Sequence, residues 1–318
     1  MDLTWDWPCG VAYYGVAKAC EAAGKAEYFD ALKNRVDELI GLGVPRQWTV
    51  NRCAMGHALL SLYAQSGGER YLELIESKLE YLRKDAPRFG EGVIQHTVSP
   101  NNDFPGQAWA DTLFMAAYFM LRAGVALDDT DLVKDALRQY QGHIDRLQNP
   151  ETGLWYHGYD SVTGGHMSGF YWARANAWAA YTMSRVKCVL PERYLFPEFM
   201  DIDGSLSEQL SALKKLQGAD GLWRTILDDG ESYGEVSASA GITAAMIENG
   251  NPLHSRFVSS GLEAVLANVT PDGRVTNVSG GTAVMKDRDG YRNISRRWAQ
   301  GWGQGLALAA LCAGVEQN

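Results

Sequence analysis

The chain has 318 residues, 46% of them hydrophobic and 21% charged, which provides for a sizeable core in one large globular unit or at most two. Its formal charge of −9, with no dense basic tract, argues against nucleic acid or an anionic membrane as a partner. The five cysteines are scattered, odd in number and without a CxxC pair, so neither a disulfide framework nor a zinc site is expected, and a reducing cytoplasm is the simpler setting.

The opening "MDLTWDWPCG" lacks the basic and apolar regions of a leader, and no run approaches the roughly 18 apolar residues that suggest a spanning helix. Sequons at Asn268, Asn277 and Asn293 would matter only in a secreted protein and are read as chance.

Two kinds of helical segment then alternate along the chain. "VAYYGVAKACEAAG" is rich in Ala and Gly and apolar on several faces, so it should be surrounded by protein. An amphipathic segment near 26–41 follows, needing only one buried stripe. "CAMGHALLSLYA" repeats the first kind, and Leu72, Ile75, Leu79 and Leu82 mark the second. "AWADTLFMAAYFML" precedes the stripe Val133, Leu137, Tyr140, Ile144 and Leu147. "WARANAWAAYTM" precedes a segment near 205–217, and "SASAGITAAMI" one near 254–268. "GWGQGLALAALCAG" closes the series. Gly24 and Gly67 mark short turns from the first kind to the second, whereas the returns, such as "NPETGLWYHGYD" and "TPDGRVTNVSGG", are long and suit hairpins or ordered loops.

Six inner and five outer segments in this order predict an all-α fold, an (α/α)6 barrel or six-hairpin toroid, lacking one outer helix or carrying one the pattern does not reveal. One catalytic domain over 1–318 is expected. If the inner helices run in parallel, their N-termini and the long returns share one end, where the site should lie.

Residues at those N-termini carry the candidate chemistry. Trp109 and Asp111 open the third inner helix. Asp111 either complements the helix dipole, worth about 0.3–1 kcal/mol, or acts as a general acid whose pKa burial raises and the helix N-terminus lowers. Around the fourth, "WYHGYD" and "FYWARANAWAAY" place Arg174 and Trp178 on one face and Trp172 and Asn176 on another. These form either a cation–π pair or a sugar-sized pocket with stacking tryptophans and an arginine fork for a carboxylate. His157 alone is a weak signal. Asn51, Glu235, Arg296, Arg297 and Trp302 lie at other inner starts, and together the set favours a polar, aromatic-lined cavity. GxxxxGK[ST], GxSxG and HExxH motifs are absent from the sequence, which disfavours nucleotide, serine-hydrolase and metal readings.

In order, "GQAWADTLFMAAYFM", "GLWYHGYD", "YWARANAWAA", "GLWRTILDDGESYGEVSASA" and "SGGTAV…GWGQGLALAAL" resemble the unsaturated rhamnogalacturonyl hydrolases of glycoside hydrolase family 105, related to the unsaturated glucuronyl hydrolases of family 88. The resemblance covers nearly the whole chain. It implies an (α/α)6 barrel acting, without metal or organic cofactor, on a small anionic oligosaccharide that ends in a 4,5-unsaturated uronic acid. In that chemistry an aspartic acid protonates C4, water adds at C5 and the resulting hemiketal collapses to release the sugar.

Asp111 matches the catalytic acid/base, with Trp109 as a wall beside it. His157, Trp172, Arg174 and Trp178 match substrate-binding positions. Asn51 stands where relatives usually carry an aspartate, and Ala175 and Ala177 replace glycines of the W-x-R-G-N-G-W pattern. Relatives commonly also have a helix before the segment at which this chain begins. Nothing in the resemblance fixes the oligomeric state. Alternatives on the residues are a sugar 2-epimerase or isomerase, disfavoured because the six histidines are not clearly paired at inner-helix starts, and a non-catalytic carbohydrate-binding or helical-repeat protein.

Overall fold

The computed structural model describes residues 4–101 and 104–316; the first three residues of the N-terminal stretch lie outside them. In chain order the inner helix α1 (Trp7–Ala23) is followed by the outer α2 (Ala26–Leu42). A broken inner helix, α3 (Val50–Cys53) and α4 (Gly56–Ser66), is followed by the outer α5 (Glu69–Glu80). After strands β1 (Arg88–Phe89), β2 (Val93–Ile94) and β3 (Gln107–Trp109), the third inner helix begins at Asp111, widens into a π-helical stretch at Leu113–Tyr118 and continues as α6 (Phe119–Ala126). The outer α7 (Thr130–Leu147) leads to β4 (Gly158–Asp160) and β5 (Gly165–His166). Inner α8 (Ala173–Val189) and α10 (Val236–Asn249) alternate with outer α9 (Pro197–Lys214) and α11 (Ser255–Ala267). The short α12 (Arg288–Arg292) then precedes the inner α13 (Gly301–Glu316).

This is the expected (α/α)6 barrel, with six inner and, among the described residues, five outer helices. The inner helices sit in the core because their surfaces leave no room for water. Every residue of α10 from Val236 to Ile247 is buried. Small residues allow this closeness, most visibly where the first and last inner helices close the ring. A β-carbon added to Gly305 would lie 2.0 Å from the Val11 carbonyl oxygen, and one added to Gly15 2.3 Å from that of Gly305. Only glycine permits that backbone-to-backbone crossing.

Outer helices follow the opposite rule. On α7 the buried stripe includes Leu132, Val133, Ala136, Leu137, Tyr140 and Leu147, and the helix is started by the Asp129 carboxylate accepting from the Leu132 N–H at 2.9 Å. On α5 the stripe is Tyr71, Ile75, Lys78 and Leu79, with Leu72 only half-buried. Lys78 thus occupies a core position that the hydrophobic pattern does not mark. The turns from inner to outer end at Gly24 and Gly67, both left-handed with φ of 61° and 65°, where their N–H groups satisfy the last helical carbonyls.

The returns differ from the sequence expectation in one way that positions the site. Trp109 belongs to a strand, not a helix. β3 pairs antiparallel with β4, with Trp109 opposite Gly158, and the Ala110 N–H donates to the His157 carbonyl at 3.0 Å. On its other side β3 receives the His96 N–H at the Gln107 carbonyl, 2.9 Å. Helix α3 is tied to the same segment, since the Asn51 N–H donates to the Thr97 carbonyl and the Val50 N–H to the Thr97 hydroxyl. Three loops distant in sequence therefore meet at the mouth of the third inner helix. No helix among the described residues is long and apolar enough to cross a membrane.

Candidate active site

A cavity of about 270 Å³ opens at the end of the barrel where the inner helices start. Asn51, Trp109, Asp111, Trp172 and Arg174 line it, joined by Trp7 and His96 and by the Gly281–Ala283 segment before α13. Its size and its mixture of aromatic walls with a few convergent polar groups suit a small polar ligand.

The Asp111 side chain among these is 16% exposed. Its Oδ2 lies 3.3 Å from His157 Nε2, yet the two atoms are not aligned for a hydrogen bond, and each is buried without another partner. Burial is the largest influence on this carboxyl and pushes its pKa up. The His157 contact and the fields of His157, His96 and Arg174 together outweigh it and hold the carboxyl below its ordinary value.

The histidine is set by what lies behind it. The Met285 N–H donates to the Tyr291 hydroxyl oxygen at 3.2 Å, and that oxygen is 3.0 Å from His157 Nδ1. With one of its lone pairs already engaged, the tyrosine is placed to give its own proton to Nδ1, which leaves the imidazole hydrogen on Nε2, facing Asp111. Burial lowers the His157 pKa, more than Asp111 raises it, so the ring is neutral near pH 7.

On the other flank His96 stacks on Trp109, ring centroids 4.6 Å apart, and its Nδ1 meets the Thr112 hydroxyl at 3.0 Å. Burial pushes its pKa down to about 4. The histidines that looked unpaired along the chain are thus both brought beside Asp111. The only hint in the sequence is that each sits in a return loop, on segments that the β3 pairing gathers. Tyr291 had no such hint, being 134 residues from the histidine it touches.

Arg174 is placed differently from a free carboxylate fork. It is 1% exposed; Nη1 donates to the Ser279 hydroxyl and carbonyl at 2.6 and 3.1 Å, and Nη2 to the Gly280 carbonyl and the Thr282 hydroxyl at 2.7 and 3.0 Å. Its charge faces Glu235 Oε1 at 3.6 Å, and its plane lies over Trp172 at 4.5 Å. The arginine therefore builds the cavity wall, and its electrostatic field rather than a free pair of donors reaches the interior. Glu235 is a fully buried cap of α10, accepting from the Ala238 and Ser279 N–H groups at 2.6 and 2.8 Å.

Trp178 is corrected by the structure. It is 0% exposed, packs on Phe114 at 5.1 Å in the centre of the barrel and does not line the cavity, because α8 turns its side chain inward one turn below Arg174. Asn176 is likewise structural, clamping the Trp155 backbone through 2.9 Å bonds in both directions. Asn51 does reach the cavity, 8% exposed, and its side-chain oxygen is buried without a partner. Trp7 stacks on Trp302 at 4.3 Å across the seam between α1 and α13.

An aspartate among neutral histidines in an aromatic cavity at the helix-start end of an (α/α)6 barrel is a candidate site for a carbohydrate-active enzyme. The chain belongs to Glycosyl Hydrolase Family 88, whose family model matches residues 1–316, and it is a glycoside hydrolase. It is 51% identical to the unsaturated rhamnogalacturonyl hydrolase YesR of Bacillus subtilis over 98% of this chain and 90% of that protein. Among solved structures it resembles a possible member of the GH105 family from Klebsiella pneumoniae, with a TM-score of 0.92, 27% identity and coverage of 98% and 83% of the two chains. The unsaturated glucuronyl hydrolase of Bacillus sp. GL1 shares the fold at a TM-score of 0.71, with 18% identity and coverage of 98% and 86%. Both families named by the sequence resemblance are thus found, and a sugar isomerase or a repeat scaffold is not favoured.

Proposed function

We propose that this hydrolase removes a 4,5-unsaturated uronic acid from the non-reducing end of lyase-derived oligosaccharides, with Asp111 as the acid that protonates C4 and activates the water added at C5. The supporting observation is the Asp111 carboxylate lining the cavity, with one oxygen buried and unpartnered beside His157. The name of the Bacillus subtilis relative favours a rhamnogalacturonan-derived substrate.

The chemistry follows from charge. A uronate carboxylate brought into the cavity displaces water and sets a second negative charge near Asp111. Both effects favour the protonated acid against the His157 field. Proton transfer to C4 leaves an oxocarbenium ion, which the returned carboxylate stabilises while orienting water; the hemiketal at C5 then opens and expels the sugar. Trp109 and Trp172 supply stacking faces, and Asn51 offers the substrate a side-chain oxygen acceptor where a second carboxylate would add repulsion. No cofactor takes part in this scheme. Residues 1–318 act in it as one catalytic domain, and the cytoplasm is the setting in which lyase products would meet it.

The test is loss of the double-bond ultraviolet absorbance of an unsaturated rhamnogalacturonyl disaccharide. Turnover is expected for the native chain, with Asp111→Asn lowering kcat by about 10²–10⁴-fold and leaving substrate affinity largely intact. A folded native chain that consumes no unsaturated uronyl oligosaccharide sinks the proposal, and retained turnover in the variant removes Asp111 from its role.

A further inference from the structure

The segment between the cavity wall and α13, residues 281–300, departs from the rest of the chain in charge. It holds five basic residues, Lys286, Arg288, Arg292, Arg296 and Arg297, against Asp287 and Asp289, in a protein of net charge −9. Arg292 is spent on Asp229, bonded through Nε and Nη2 at 2.8 and 2.6 Å. Arg296 and Arg297 are exposed and, among the described residues, form no ion pair. Next to them Trp298 is 73% exposed, an unusual placement for the largest apolar side chain when Trp109, Trp172 and Trp302 near the site are covered.

These residues are continuous with the cavity. Arg174 holds the Gly280 carbonyl at 2.7 Å, the Gly280 N–H donates to the Ser295 carbonyl at 2.9 Å, and Arg296 follows directly, its guanidinium 4.1 Å from the Tyr233 ring centroid. Tyr233 in turn donates to the Tyr291 carbonyl, on the residue that orients His157. The exposed cations and the indole therefore follow directly on a strand of chain bonded to Gly280, the residue before the Gly281–Ala283 segment that lines the cavity.

We infer that Arg296, Arg297 and Trp298 form a second binding site for the part of the substrate beyond the cleaved bond, taking the carboxylate of a further uronic acid on the arginines and a sugar face on the indole. The inference rests on the uronyl-hydrolase reading and extends it to substrate length. A cavity of about 270 Å³ leaves the remainder of a longer acidic chain outside it, beyond the Gly281–Ala283 wall to which this segment is joined. Guanidiniums and a flat apolar ring are the chemistry that recognises an acidic sugar, and an overall acidic protein needs local cations to hold one.

The experiment compares an unsaturated disaccharide with an acidic unsaturated tetrasaccharide carrying a second uronate, in the native chain, in Trp298→Ala and in Arg296→Ala/Arg297→Ala. For the tetrasaccharide, KM is expected to rise about tenfold in each variant with kcat unchanged, and the native KM to rise with salt more steeply than that of the double variant. Disaccharide kinetics should stay within about twofold in Trp298→Ala, which leaves the Arg296–Tyr233 contact in place. Equal changes on both substrates, or none on the tetrasaccharide, overturn the second site while leaving the uronyl-hydrolase reading intact. Calorimetric titration of Asp111→Asn with a saturated acidic tetrasaccharide reads the same site without turnover: affinity that Arg296→Ala/Arg297→Ala does not weaken also overturns it.

Discussion

His157 Nε2 stands 3.3 Å from Asp111 Oδ2 while the ring's other nitrogen is 3.0 Å from the Tyr291 hydroxyl. Carboxylate, imidazole and phenol thus form one line, in which each group sets the protonation of the next. The arrangement explains how a carboxyl in an aromatic cavity stays below its ordinary pKa despite burial.

Replacing His157 by Ala removes the contact and the field that lower the Asp111 pKa and leaves burial, which raises it. In the proposed role of Asp111 as the acid, the carboxyl then stays protonated to higher pH. The alkaline limb of the kcat/KM profile is expected to move upward, while the maximum falls. Tyr291→Phe should shift the limb the same way by less, because the ring loses only the partner that fixes its tautomer. A profile that moves downward, or not at all, contradicts the arrangement.

Glu235→Gln should destabilise the protein by about 3–5 kcal/mol, since it leaves the buried Arg174 without its counter-charge and weakens the α10 cap. Chemical denaturation reads the loss. Because Arg174 and Glu235 together hold Ser279, KM should rise in the same variant as the Gly281–Ala283 wall loosens.

Lys78 is 0% exposed, its ammonium 3.3 Å from the centre of the Trp48 ring, and burial pushes its pKa down to about 7. Between about pH 7 and pH 10 the unfolded chain holds a proton here that the folded chain has lost. This lysine's contribution therefore rises with pH across that window, by up to about 1.4 kcal/mol per unit, and below pH 7 its penalty is fully present. Lys78→Met should flatten that slope and raise stability near pH 7, as measured by denaturation at a series of pH values. An unchanged slope would show that the ring contacts keep the ammonium charged throughout.

The barrel and its order were legible in the chain because burial on several faces and burial on one face leave different patterns in a helix, and six Ala- and Gly-rich segments alternating with striped ones have few other ways to pack. Asp111 was legible as well: a charge at the start of an otherwise apolar helix is a local anomaly. Lys78 was not, because a lysine within a stripe reads as an interruption until the rings of Trp48 and Trp5 are seen around its ammonium.

The sequence by itself determined the architecture, the end of the barrel that carries the candidate site and the carboxylate that lines it, since each depends on local periodicity or on a charge out of place. Tertiary structure alone decided which groups face that carboxylate. It drew His96 and His157 to Asp111 through the pairing of β3, committed Arg174 to the wall loop and buried Trp178 beneath the cavity. Those outcomes depend on strand register and on contacts between residues more than a hundred positions apart, such as Arg174 with Ser279 and His157 with Tyr291, and no local pattern records a contact of that range.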